Sequence, residues 1–401
     1  MKKLIKRVLG MGAFAVLIMG CAGSNKIAPE LRLDAAKFDT TVNDKPVQLF
    51  TIKNANGMQV SITNFGGRVV QILVPDKEGN FQDVVLGYDN VEQYIDTAKY
   101  GGSDFGAAIG RYANRINKGK ITIEGKEIQL PQNNFGHCLH GGPQGWQYSV
   151  YDGEQVNDST VKMAITSPDG DSNFPGEVLA TVTYTLTSDN ALDITYEAET
   201  SANTYINMTN HSYFNLNGDP SESIENCLLY LNANDMTPVD STFMTTGEIV
   251  PVEGTPFDFR SPKMIGQDIE ADNEQVKFGM GYDHNWVLNT YNNGIGNDRD
   301  IAASLYSPKT GIRLDVYTNE PGIQVYTGNF LDGSATGKQG KVYNKRAAIC
   351  LETQKFPDSP NKKDWPSPLL EPGGKYYSHC VYKFSTAETF DVDNSDTILE
   401  E

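Results

Sequence analysis

Between about residue 45 and residue 385 the dominant pattern is alternation of apolar and polar side chains, and it constrains the fold more than any other feature. In 178–200, Val182, Tyr184 and Leu186 alternate with Thr181, Thr183 and Thr185. Beyond the turn Ser188-Asp189-Asn190, Leu192, Ile194, Tyr196 and Ala198 alternate with Asp193, Thr195, Glu197 and Glu199. Successive side chains of a strand point to opposite faces, so this segment is a β-hairpin with one face for burial and one for water. The same pattern recurs at 121–130, 161–165, 312–316 and 378–384, whereas helical spacing is confined to 91–95 and 264–277. With 38 glycines and 19 prolines spread between short strands, the chain is expected to be all-β. The architecture predicted is one large β-sandwich over 45–386.

The two ends differ from this body. Lys2, Lys3, Lys6 and Arg7 precede an uncharged, mostly apolar run over 8–20. That run suits a secretory signal and is short for a bilayer-spanning helix. It stops at Ile18-Met19-Gly20-Cys21, followed by Ala22-Gly23-Ser24-Asn25, which resembles a bacterial lipobox. We expect 1–20 to be a lipoprotein signal, Cys21 to carry a lipid and 21–44 to hold the tether. The protein is then exported and membrane-anchored, on the periplasmic or cell-surface side. The acidic segment 387–401 is expected to fray.

Charge narrows the partners. The formal net charge is -18, with 51 acidic residues against 33 basic ones, and losing the basic head makes the chain still more acidic. Such a surface repels nucleic acid, and it gives no general attraction for phosphorylated substrates. There is no phosphate-binding glycine loop and no basic run. Beyond Cys21 stand Cys138, Cys227, Cys350 and Cys380; their even number in an exported chain leaves disulfides and buried thiols equally open.

Five segments concentrate polar groups beyond what alternation explains: 110–116 (GRYANRI), 138–142 (CLHGG), 209–216 (TNHSYFNL), 281–286 (GYDHNW) and 351–354 (LETQ). Glu352 follows the apolar run 347–351, where a carboxylate is drawn into partly buried surroundings. Together the segments contain the parts for general acid-base work on a neutral polyol: a carboxylate to accept a proton, an imidazole to donate one, and Arg and Asn to fix hydroxyls. Trp146, Tyr213, Phe214 and Trp286 are the aromatic candidates for the C–H face of a sugar. His137 and His140 form an H-x-x-H pair, but on a turn and without a carboxylate-rich partner motif, so no metal site is expected.

These segments, with 246–260 (TGEIVPVEGTPFDFR), 321–330 (PGIQVYTGNF) and 351–361 (LETQKFPDSPN), give the sequence a recognisable order. The chain resembles the aldose 1-epimerase (galactose mutarotase) family over nearly its whole length past the signal. The resemblance implies a β-sandwich of the galactose mutarotase type with a sugar cleft on a concave face. It implies Glu352 as general base and His211 as general acid, with Asn114, Arg115, His140 and Asp283 positioning hydroxyls and Gln324 near the same cleft. The implied reaction interconverts α and β anomers of free aldohexoses such as galactose and glucose, without cofactor. Glu352 is then expected to be ionised near neutrality, and Asp283 to hold the proton on His211. Trp286 stands where the family usually has phenylalanine and is expected to reshape the cleft floor. The alternative is a non-catalytic carbohydrate-binding lipoprotein, which should lack Glu352 or His211; the chain has both.

Overall fold

The structure, a computed structural model, describes residues 27–101 and 104–392. The segment expected to be a signal, Cys21 and the tail beyond residue 392 lie outside the described residues. Among those residues the main sheets are all antiparallel. One of nine strands runs in the order Asp152–Asn157, Thr160–Ser167, Val178–Leu186, Ala191–Thr200, Tyr376–Thr386, Ile312–Thr318, Ala303–Tyr306, Leu228–Leu231, Lys263–Met264. One of six strands is ordered Tyr213–Phe214, Ile349–Gln354, Gly322–Tyr326, Asp283–Leu288, Ala233–Thr237, Val250–Pro251. A third, of four strands, begins at Leu49–Lys53 and ends at Phe81–Asp83.

The core lies between the nine-stranded sheet and the other two. Val182, Tyr196, Leu314 and Phe384 from the first meet Ile323, Val325, Leu351 and Trp286 from the six-stranded sheet, and Ile52, Val60 and Ile72 from the four-stranded one. The hairpin expected at 178–200 pairs Val182 with Tyr196 and Leu186 with Leu192. Among the described residues the α-helices are single turns or little more: Glu92–Ile95, Thr97–Tyr100 and Glu274–Gly279. Runs this short cannot hold themselves together in water and survive by packing on the sheets.

Three expectations meet a different outcome. The stretch before residue 45 is not a bare tether once it reaches Pro29: two 3-10 turns form, Phe38 is fully buried, and Gln71 Nε2 donates to the Leu31 carbonyl at 2.8 Å. The apolar ring of Phe38 explains the docking. The start of the acidic tail docks as well, with Phe390 stacked on Tyr306 at 5.3 Å and Arg313 Nη1 donating to the Asp391 carbonyl at 3.0 Å. Trp286 does not reach the cleft. Along Asp283–Leu288, alternation sends Asp283 and Asn285 to one face and His284, Trp286 and Leu288 to the other, and Trp286 is fully buried with Nε1 donating to the Phe257 carbonyl at 3.1 Å. Truncating such a ring costs about 3–5 kcal/mol. Cys138, Cys227, Cys350 and Cys380 are free, buried thiols.

Candidate active site

The six-stranded sheet builds the site by parity. In Ile349–Gln354, Ile349 and Leu351 enter the core, which sends Cys350 and Glu352 to the opposite face. In Gly322–Tyr326, Ile323 and Val325 enter the core and leave Gln324 and Tyr326 beside Glu352, with Gln324 in direct register with it. Asp283 in turn pairs with Tyr326. Three strands therefore present Glu352, Gln324, Tyr326 and Asp283 on one face.

The opposite side comes from shorter pieces. Thr209–His211 pairs with Ala107–Ile109 and carries His211; Arg115–Ile116 pairs with Cys138–Leu139 and carries Arg115, with His140 just beyond. Two glycines make this approach possible. A Cβ on Gly110 would lie 2.0 Å from Trp146, and one on Gly141, whose φ is +78°, would lie 2.3 Å from the Gly110 carbonyl oxygen. Trp146 is thus a wedge beneath the 110–116 segment and not a sugar platform. Phe214 is core as well, so of the four aromatic candidates only Tyr213 lines the cleft.

The cleft holds about 360 Å³ and is lined by Asp104, Asn114, Arg115, His140, His211, Tyr213, Asp283, Tyr326, Phe330 and Glu352, among others. At its base His211 Nε2 lies 3.6 Å from Glu352 Oε1, with both side chains buried. Glu352 Oε2 has no hydrogen-bond partner among the described residues, so a carboxylate lone pair is left for a ligand hydroxyl. Cys350 Sγ is 3.6 Å from His211 Nδ1, and the Tyr213 ring stacks on the imidazole at 5.1 Å. The backbone N–H of Asn114 donates to His140 Nδ1 at 3.1 Å. This puts the proton of neutral His140 on Nε2 and makes that nitrogen a donor.

Electrostatics depart from the expectation in two places. Burial pushes Glu352 well above the usual carboxylate value, with the charges of Asp283 and Asp104 adding to the rise and Arg115 opposing it. Burial lowers His211, and the carboxylate that opposes this is Asp104, not Asp283. Asp283 instead accepts from Gln324 Nε2 at 2.7 Å and is itself raised by burial, against the pull of Arg115. Gln324 thus acts from behind the cleft wall, by holding Asp283.

Of the two arginines in 110–116, only Arg115 lines the cleft. Arg111 donates to the carbonyls of Pro168, Pro175 and Gly176 at 2.9 Å each and anchors the loop before Val178. Asp104, Tyr326, Phe330 and Cys350 were missed by sequence reasoning. Tyr326 was legible, standing two residues after Gln324 on the same strand face. Asp104 carried no signal among 51 acids.

His140, His211 and Glu352 each bring one ligand atom within 4.8 Å of the others, a donor set of the type that holds a divalent cation. The Asn114 N–H opposes this use of His140, because a protonated Nε2 offers a metal no lone pair. The H-x-x-H pair does not converge: His137 Nδ1 accepts from the Lys118 N–H at 3.0 Å, and its Nε2 meets Thr242 Oγ1 at 2.9 Å.

Comparison with known proteins agrees with this geometry. The aldose 1-epimerase family model matches residues 48–383. The chain is 40% identical over 341 residues to the galactose mutarotase of Rattus norvegicus, covering 85% of this chain and 95% of the rat protein. It is 37% identical over 342 residues to the aldose 1-epimerase of Escherichia coli K12, covering 85% and 96%. Among solved structures, an aldose epimerase homologue from C. elegans superposes with a TM-score of 0.77 at 30% identity, covering 85% of this chain and 99% of the other. A galactose 1-epimerase from Lactobacillus acidophilus gives 0.74 at 29%, covering 86% and 97%. The chain belongs to the aldose 1-epimerase family.

Proposed function

We propose that the chain is a mutarotase that interconverts the α and β anomers of free aldohexoses such as galactose and glucose, with Glu352 as base and His211 as acid. The observation that carries the roles is the 3.6 Å approach of His211 Nε2 to Glu352 Oε1 at the base of a cleft otherwise lined by hydroxyl-fixing groups. A pyranose placed there puts its anomeric hydroxyl on Glu352 and its ring oxygen on His211. Glu352 takes the hydroxyl proton while His211 protonates the ring oxygen, and the bond between C1 and that oxygen opens. Rotation about C1–C2 turns the other aldehyde face inward; closure returns both protons. Asn114, Arg115, His140 Nε2 and Asp283 hold the remaining hydroxyls so that the opened chain stays aligned. Burial makes each partner more reactive in its working form, since a carboxylate held above its usual pKa is a stronger base and an imidazolium held below is a stronger acid.

Polarimetry of freshly dissolved α-D-galactose and α-D-glucose tests the activity. Acceleration over buffer is expected with at least one sugar. No acceleration with either, while the folded protein still binds them, returns the chain to the carbohydrate-binding reading.

The exported, lipid-anchored placement rests on the basic head, the apolar run and Cys21. Expressed in a bacterium, the chain should fractionate with membranes, and Cys21→Ser should release it or leave an unprocessed precursor. Identical mass and fractionation of the two forms defeats the anchor.

A further inference from the structure

The proposed reaction leaves one carboxylate of the cleft with nothing to bind. Asp104 lines the cleft, and backbone pairing places it there. Ala107 is in register with His211, the Gly106 N–H bonds to the His211 carbonyl at 2.9 Å, and the Ala107 N–H turns back to the Asp104 carbonyl at 3.0 Å. On the other edge of the same segment Tyr213 pairs with Cys350, and that antiparallel register, continued by two residues, sets His211 level with Glu352. The segment of His211 therefore runs between the strand of Glu352 and the strand that Asp104 leads into. Asn114 and Arg115 follow that second strand, Ala107–Ile109, and reach the cleft from its other end.

Asp104 Oδ1 is buried and has no hydrogen-bond partner among the described residues. Arg68, the buried cation behind Phe105, directs Nη1 and Nη2 to the Phe105 and Gln147 carbonyls at 3.0 and 2.9 Å instead. A buried carboxylate oxygen without a donor is costly, and a ligand hydroxyl in the cleft removes that cost.

We propose that Asp104 accepts a hydrogen bond from the 6-hydroxyl of the sugar and makes the cleft selective for neutral hexoses that carry it. The proposal rests on the reading of the cleft as a sugar site. With the anomeric hydroxyl on Glu352 and the ring oxygen on His211, the ring atom beyond that oxygen is C5, and its hydroxymethyl arm extends past His211 away from Glu352. That is the side from which Asp104 enters. A hydroxyl there donates a charge-assisted bond to the carboxylate, whereas a phosphate or carboxylate on the same carbon meets like charge. A pentopyranose lacks the arm and leaves Oδ1 unpaired. Asp104 also favours the charged form of His211, but every sugar in the cleft shares that effect. Selectivity therefore separates the two roles.

The full chain is assayed by polarimetry with galactose and 6-deoxygalactose, which differ only at the 6-hydroxyl, and with glucose and xylose, which differ by the whole hydroxymethyl arm. The parent chain should favour the first member of each pair in kcat/KM by about tenfold or more, the size of a hydrogen bond to a charged group. Asp104→Ala should lower both ratios by about that factor. Asp104→Asn keeps the shape and a neutral acceptor, so it should retain part of the selectivity and excludes misfolding as the cause. A parent chain that treats the two members of a pair alike, or variants that slow both members by one factor, overturns the assignment. Calorimetric titration with galactose and 6-deoxygalactose reads the same ratio without turnover. Absent mutarotation therefore defeats the proposed reaction, while the binding ratio decides the role of Asp104 separately.

Discussion

His211 Nε2 stands 3.6 Å from Glu352 Oε1, and burial drives the two in opposite directions: the carboxyl upward, the imidazole downward. Burial thus works against the arrangement that begins the proposed reaction, with the proton on His211 and Glu352 ionised, relative to the one with the proton on Glu352. The two arrangements contain the same number of protons, so their ratio does not change with pH. Burial lowers the share of the working form and makes each of its members intrinsically more reactive.

The first prediction follows from these opposed shifts. The pH profile of kcat/KM should be a bell whose two limbs belong to the coupled His211–Glu352 pair. In His211→Asn, residual activity, lowered about a hundredfold or more, should rise through a single ionisation as Glu352 loses its proton. Stopped-flow polarimetry across pH locates that midpoint. It should lie above the ordinary carboxylate range; a midpoint near the reference value of about 4.3 means that burial does not control Glu352.

Glu352→Gln should remove activity and add stability. An acid raised in the fold keeps a proton that the unfolded chain gives up. Its contribution is therefore whole below about pH 4.3 and is lost as pH rises through the folded value. Glutamine has nothing to lose. Thermal unfolding should show the variant melting higher than the parent at pH 8, by a few degrees, and close to it at pH 4.5. A variant that melts lower at pH 8 contradicts the buried-acid description.

On the nine-stranded sheet, His379 is clamped between Asp193 at 3.0 Å and Asp298 at 2.7 Å. Burial opposes its charge, yet the hydrogen bonds and charges of the two carboxylates carry it up to about 9. A base raised in the fold stabilises fully below its unfolded value of about 6.5, and the effect fades as pH climbs through 9. His379→Gln should cost on the order of 2 kcal/mol at pH 6 and little at pH 10, read from urea midpoints. A pH-independent cost means the ring contributes packing alone.

The His140 tautomer predicts indifference to metals. With Nδ1 accepting the Asn114 N–H, Nε2 keeps its proton and is a hydrogen-bond donor. Exhaustive chelation should leave kcat within about twofold, the scatter allowed for a group that is not a ligand, and micromolar zinc should not compete with sugar. Tight competitive inhibition by zinc shows the opposite tautomer and a three-donor site at His140, His211 and Glu352.

The residues themselves determine more of this protein than usual, because strand parity is a local property. The alternation in 178–200 requires the hairpin, and the same rule, applied to 283–288, already separates Asp283 from Trp286 once one face is known to be core. Motif order supplied Glu352, His211, Asn114, Arg115 and His140, all of which line one cleft. Tertiary structure decided what depends on distance through space. It brought Asp104 to the site with no local pattern to announce it, turned Trp146 and Trp286 into core, and set Arg111 to bracing a loop while Arg115 faces the cleft. It also set burial against the charged forms expected of the acid-base pair. A pKa reports the burial and charge around a group, and at Glu352 those come from Asp283, Asp104 and Arg115, segments far apart in the chain that meet only in the folded protein.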